Sequence, residues 1–110
     1  MADCLFCQMV KGNIPTTKIY EDDHIFVIKD IHPKAKVHLL IISKRHIENL
    51  NAVQEGDSAL LGYMMTSLKN FAKEQGLAAF RTIINTGSDA GQQIFHLHLH
   101  LLGGGPIASF

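Results

Sequence analysis

The strict alternation of histidine and leucine in "FHLHLHLLGGG", residues 95–105, leaves this chain little freedom over what it folds into. In a β-strand, side chains two positions apart share a face and lie roughly 6.5 to 7 Å from one another. His96, His98 and His100 then project together, while Phe95, Leu97, Leu99 and Leu101 form an apolar row on the opposite face. A helix would turn His98 about 200° away from His96 and split the set. The run therefore reads as a strand whose leucine face is buried against a core, ended by Gly103, Gly104 and Gly105.

The rest of the chain supplies that core. Cys4 to Lys11 can make two helical turns with Phe6, Met9 and Val10 inward, stopped by Gly12 and Asn13. "KIYED" and "HIFVIKD" are strand-like runs about Asp22 and Asp23, a pair suited to a tight hairpin turn. "IHPKAK" is a loop containing Pro33, and "VHLLIIS" has the nearly continuous apolar pattern of a central strand buried on both faces. From about Asp57 to Gln75 the period changes, and Leu60, Leu61, Met64, Met65, Leu68, Phe71 and Ala72 fall on one stripe of an amphipathic helix capped by Gly76. "FRTIIN" is a further strand, and "TGSDAGQQ" is a polar loop leading into the histidine strand. The order α-β-β-β-α-β-β predicts an α+β fold, one antiparallel sheet with one long and one short helix packed on it. All of it forms a single domain over residues 1–110.

Charge narrows the partners. Ten basic residues balance ten acidic ones, so a broad electrostatic grip on nucleic acid or anionic membrane is not indicated, and any phosphate must be held locally. The start "MADCLFC" has neither the basic nor the apolar region of a leader, and the oily run around Leu39 to Ile42 is far too short to span a bilayer. These features predict a cytoplasmic protein with no nucleic-acid or membrane partner. His24 and His32 sit in polar, turn-like surroundings and read as solvated.

Three histidines on one strand face call for a chemical reason, because stacked imidazoles repel when charged and waste β-propensity. Zinc ligation is one use, with a further histidine and a water completing a catalytic tetrahedron, but no carboxylate cluster lies beside this row. Nucleophilic attack by a neutral imidazole on phosphorus is the other. One ring nitrogen donates to a backbone carbonyl, the second keeps its lone pair for attack, and flanking histidines bind phosphate oxygens and move protons. "GSDAGQQ" just upstream offers small residues and amides beside which a phosphate can lie, which favours this second chemistry. Cys4 and Cys7 form a C-x-x-C for which metal, redox chemistry and packing all stay open. Its place at the start of the chain counts against a thioredoxin-like role.

"HLHLHLL", preceded by "NTGSDAGQQIF", resembles the signature of the histidine triad (HIT) family, and the likeness extends through "CLFCQMVKGNIPTTKIYEDD" and "VIKDIHPKAKVHLLIISKRHI". Within the family the chain is most similar to the Hint-like purine nucleoside phosphoramidases, homodimers whose sheets join across the interface. The resemblance implies hydrolysis of nucleoside 5′-phosphoramidates at the α-phosphate, with no catalytic metal. His98 is the implied nucleophile, forming a nucleotidyl-histidine, and His96 and His100 orient it, contact phosphate and assist proton transfer. Asn85 and the Gln92 region match positions that touch the α-phosphate, Asp30 the carboxylate on the ribose hydroxyls, and Phe6, Ile14, Ile28 and Ile31 the walls of the purine slot. His38 matches a histidine lining the family's active site, with a satisfied core residue as the alternative, and Asp30 could equally cap a loop.

The same resemblance gives the cysteines a role. Some bacterial members with this C-x-x-C hold a structural zinc, for which Cys4, Cys7, His46 and His96 are the matching ligands, so His96 carries two implied duties. Two departures bear on the leaving group. Gln93 stands where the better-known phosphoramidases have a serine, and the tail "GGGPIASF" lacks the tryptophan of some relatives. A nucleotide-binding or scaffold protein with vestigial activity is the alternative from another class, and a zinc-dependent hydrolase is the third.

Overall fold

The computed structural model describes residues 4–107, and within them one antiparallel sheet carries everything else. The elements are α1 (Leu5–Val10), β1 (Tyr20–Glu21), β2 (Ile25–Lys29), β3 (Val37–Ser43), α2 (Ser58–Glu74), β4 (Phe80–Ile83) and β5 (His98–Gly103). The sheet order is β1-β2-β3-β5-β4, which places β3 and β5 at the centre. The expected fold class and element order hold. Short 3₁₀ turns, at Leu50–Ala52, Glu55–Asp57 and Ser88–Ala90, are additions that hydrophobic periodicity does not reveal.

Alternation sorts the side chains into two layers. Val27, Leu39, Ile41, Leu99 and Leu101 face α2 and pack with its Met64, Leu68 and Ala72. Phe26, Ile28, Leu40 and Ile42 face the other way and pack with Phe6 of α1. β3 is thus buried on both faces, as its composition predicts. His98 and His100 pair with Ile42 and Leu40 across the β3–β5 ladder, so they stand on the α1 side. The long helix therefore shields the back of the sheet, and the short helix borders the chemistry.

Two apolar assignments fail. Phe95 lies ahead of β5 and is exposed, because the ladder starts only at His98 and no strand geometry aims its ring at the leucine row. Met65 is also exposed, one residue round from the buried line of Met64, Leu68 and Ala72. At 100° per residue it falls on the flank of the stripe.

The turns follow local chemistry. Asp22 Oδ1 accepts from the His24 and Ile25 amides to close the β1–β2 hairpin, and its Oδ2 accepts from the hydroxyls of Tyr20 and Tyr63. Those donors hold the Asp22 carboxyl well below the usual range against the burial that opposes them. Among the described residues, no helix is long and apolar enough to cross a membrane.

Candidate active site

The histidine row splits into two environments. His98 and His100 lie on β5 with ring centroids 5.1 Å apart. His96 precedes the strand: its amide bonds to Ile94 O rather than to a ladder partner, and its ring, wholly buried, turns to the thiols of α1. The period-2 argument puts all three rings on the correct side of the sheet, since Phe6 meets both His96 and His98 edge-on. It does not foresee that pairing stops before His96.

His98 has the arrangement that attack by imidazole needs. Its Nδ1 lies 2.7 Å from the carbonyl of His96. A carbonyl only accepts, so Nδ1 carries the proton and Nε2 is left with its lone pair. Burial holds the ring below the ordinary histidine range, against the pull of that hydrogen bond and of Asp30. The imidazole is neutral at pH 7.

Behind His100 stands a second ordered chain. The amide of Lys34 donates to His38 Nδ1 at 3.0 Å, which leaves the His38 proton on Nε2. That proton points to His100 Nδ1 at 2.9 Å, and Asp30 Oδ2 lies 3.4 Å from His38 Nε2. His100 consequently carries its own proton on Nε2, a donor on the cavity side. Burial, then the neighbouring His98 and His38, push His100 down to about 4. His38 is also lowered, mainly by burial, with Asp30 opposing. It is a buried support behind His100 and does not line the cavity in front of His98, which joins parts of the two roles open to it.

A cavity of about 230 Å³ opens in front of His98 and His100. The expected residues Phe6, Ile28, Asp30, Ile31, Asn85 and Gln92 all line it, as does Gln93. Ile31 is 85% exposed, an apolar side chain left at the rim for a ligand to cover. Asp30 caps the following turn, with Oδ1 accepting from the His32 amide, and still borders the cavity, so the loop-cap and site assignments are compatible. Leu5, Met9, Leu40 and Ile94 complete the apolar wall and are missing from the sequence reading. Spacing could have found two of them: Met9 is three residues past Phe6 on the same helix face, and Leu40 is two past His38 on the same strand face.

Two expected contacts need correction. Ile14 is half-buried in the segment between α1 and β1 and does not line the cavity, because the chain leaves the helix at Gly12, with φ +78°, and turns away. Gln92 is 5% exposed and its amide is fully committed. Its Oε1 accepts from Gly87 N and Asn49 Nδ2, while its Nε2 donates to Glu48 O and Ile94 O. Its backbone N–H is given to Gly87 O. Gln92 shapes the loop, with its side-chain amide and its backbone N–H all engaged inside the protein. A larger cavity of about 600 Å³ is lined by residues such as His24, Arg45 and Tyr63 and by none of the three triad histidines.

Cys4, Cys7, His46 and His96 converge at the base of α1, each offering one donor atom within 4.8 Å of the others. Cys4 Sγ lies 3.3 Å and Cys7 Sγ 3.6 Å from His96 Nδ1, and His46 Nδ1 lies 3.3 Å from Cys7 Sγ and 3.1 Å from His96 Nδ1. A tetrahedron with zinc–nitrogen and zinc–sulfur bonds of about 2.0 to 2.3 Å has edges of roughly 3.3 to 3.8 Å. The donor set fits. His96 Nε2 gives its proton to Ser43 O at 2.5 Å, so Nδ1 has a free lone pair, as a ligand nitrogen must. Burial raises the Cys7 thiol, with Cys4 adding to the effect.

An antiparallel α+β sheet presenting a neutral imidazole between ordered histidines, over an apolar cavity with a carboxylate at its edge, defines a histidine-triad protein. The family model described as "Scavenger mRNA decapping enzyme C-term binding" matches residues 3–105. The chain is 42% identical over 104 residues to Protein HitA of Neisseria gonorrhoeae, covering 94% of this chain and 97% of that one. Its fold matches a HIT family hydrolase from Legionella pneumophila with a TM-score of 0.92, at 43% identity over 94% of this chain and 95% of that one. It also matches a histidine triad protein from Clostridium difficile with a TM-score of 0.93, at 36% identity over 100% and 97% of the two chains. The chain belongs to the HIT family.

Proposed function

We propose that this protein hydrolyses purine nucleoside 5′-phosphoramidates, or transfers their nucleotidyl group, through a nucleotide covalently held on His98. The observation that carries the reading is the 2.7 Å bond from His98 Nδ1 to the His96 carbonyl, which leaves Nε2 bare beside the cavity. In the first step Nε2 attacks the α-phosphorus, the phosphorus–nitrogen bond breaks, and the leaving nitrogen takes up a proton from solvent to depart as the amine. In the second, water attacks the phosphorus, the phosphorus–Nε2 bond breaks, and the water's proton returns to solvent, which releases the nucleoside monophosphate and neutral His98. His100 Nε2–H donates to a phosphate oxygen, and His38 keeps the His100 ring in that tautomer. Asn85 adds a side-chain amide donor. Asp30 accepts from the two ribose hydroxyls, and Phe6, Ile28 and Ile31 enclose the base. His96 serves the chemistry through its backbone carbonyl.

Cys4, Cys7, His46 and His96 hold a zinc ion in this reading, and its contribution is to tie α1 to the sheet. The reading places the protein in a reducing cytosol, where the two cysteines stay out of disulfides and open to metal, and makes it a homodimer. The edge strand β4 has one ladder partner and an exposed Phe80, the kind of edge a second copy covers. Gln93, exposed at the cavity where the likeness leads one to expect serine, bears on protonation of the leaving amine.

The test is a rapid quench of the reaction with adenosine 5′-phosphoramidate, followed by mass spectrometry of the His98 peptide. An adenylyl adduct at His98 is the expected result. Steady turnover without any adduct, or turnover retained in His98→Ala, would remove the proposal in favour of water attacking phosphorus directly.

A further inference from the structure

His96 belongs to both halves of the site, and three of its groups are fixed at once. Nδ1 lies in the thiol–imidazole cluster, Nε2 donates to Ser43 O, and the carbonyl accepts from His98 Nδ1. Strand pairing does not hold that carbonyl, because the ladder begins at His98 and the amide of His96 bonds locally to Ile94 O. Its peptide plane is held at the Leu97 amide, which donates to Ile47 O at 2.7 Å next to His46, and on the other side by the anchored His96 side chain. A second connection runs through Phe6, which lies between Cys4 and Cys7 in the chain and is 1% exposed. Its ring centroid is 5.7 Å from that of His96 and 5.2 Å from that of His98, and the same ring lines the cavity.

We infer that Cys4, Cys7 and His46 are positioning residues for the nucleophile: by anchoring His96 and α1, a metal ion held there fixes the carbonyl that orients His98 and the wall that encloses the base. Metal occupancy and nucleotide binding are then reciprocally coupled, each tightening the other by the same factor, about fivefold or more. The link to nucleotide rests on the function proposed above; the link to His98 does not. A zinc that served only to hold the fold together would raise stability and leave the His98 ring unchanged in any protein that stayed folded.

The experiment uses the full chain labelled with ¹⁵N, zinc-loaded and chelator-stripped, at a temperature where circular dichroism shows both forms folded. Long-range ¹H–¹⁵N spectra of the loaded form should show His98 with a protonated Nδ1 and a bare Nε2. In the stripped form the two shifts should move toward each other as the ring loses its fixed acceptor. Competition with a chromophoric chelator, with and without saturating AMP, should show zinc held about fivefold more tightly when AMP is bound. If stripping unfolds the chain, His46→Ala, which leaves three donors in place, carries the same readouts. An identical His98 spectrum in folded loaded and stripped protein overturns the inference while leaving the catalytic proposal standing. A spectrum that follows zinc in a protein that does not bind AMP keeps the positioning role and overturns the nucleotide reading.

Discussion

The two ends of the triad are one strand's length apart in chemistry. At the His96 end, a ring with no exposed surface is surrounded by two thiols and a second imidazole, the donor set of a structural metal. At the His100 end, the ring leans on His38, which leans in turn on the Lys34 amide and Asp30, so that only hydrogen bonds order it. His98 takes its orientation from one end and its electrostatic surroundings from both. Three identical side chains at period 2 thus sit in three different settings, and what separates them is which loop or helix arrives above each ring.

The widest way to sharpen the contrast is to remove the residue between the ends. His98→Ala should lower phosphoramidate turnover by at least about a thousandfold, since the covalent step is lost, with AMP affinity by calorimetry changed only a few-fold. A comparable loss of AMP binding would show that His98 mainly binds. Next comes the His96 end. Purified protein should contain about one zinc per chain, and Cys4→Ser with Cys7→Ser should lose it and melt on the order of 10 °C or more lower. Metal-free wild-type protein with an unchanged melting point would dissolve the contrast.

The His100 end should behave in the opposite manner. His38→Phe removes the donor to His100 Nδ1 and should slow turnover by roughly ten- to a hundredfold with zinc content unaltered, as kinetics and metal analysis can establish. Zinc lost along with the rate would mean that the two ends are a single unit. The smallest effect is on pH dependence. His100 titrates at about 4 when folded, down from 6.5, so between those values the unfolded chain binds more protons. Its contribution to stability is intact above about pH 6.5 and is lost as pH falls toward 4. In urea titrations, His100→Asn should flatten that part of the stability profile relative to wild type, both proteins carrying zinc. Parallel profiles would assign the acid sensitivity to the thiol–imidazole end.

Element type was legible because it depends on local period. The alternation of β5, the apolar run of β3, the stripe of α2 and the stop at Gly12 each reflect backbone geometry acting over a few residues. Chemistry was legible where residue type is itself rare and specific: three alternating histidines, a C-x-x-C, a carboxylate before a turn. Phe6, Asp30, Ile31 and Asn85 reach the cavity as the motif's flanks imply.

Other features depended on what lies beside a residue in space. That Gln92 spends its whole amide on Glu48, Asn49, Gly87 and Ile94 follows from two loops meeting. Glu48 and Asn49 lie 44 and 43 residues before Gln92 in the chain, a separation that leaves no local trace.

 Likewise, periodicity places His96 in the strand with its neighbours, whereas the ladder ends at His98 and the ring is drawn to Cys4, Cys7 and His46.

The sequence by itself therefore determined that this protein has a strand with a histidine face and a leucine face, a sheet to hold it and helices to cover it, because side-chain period is a property of the backbone alone. Only the tertiary structure decided which ring keeps a bare nitrogen at the cavity, which leans on His38 and how the third is enclosed with the thiols. Those settings rest on hydrogen bonds of about 3 Å, one to a carbonyl two residues away and the others to atoms from distant parts of the chain, with lone-pair directions fixed by whatever each second ring nitrogen meets.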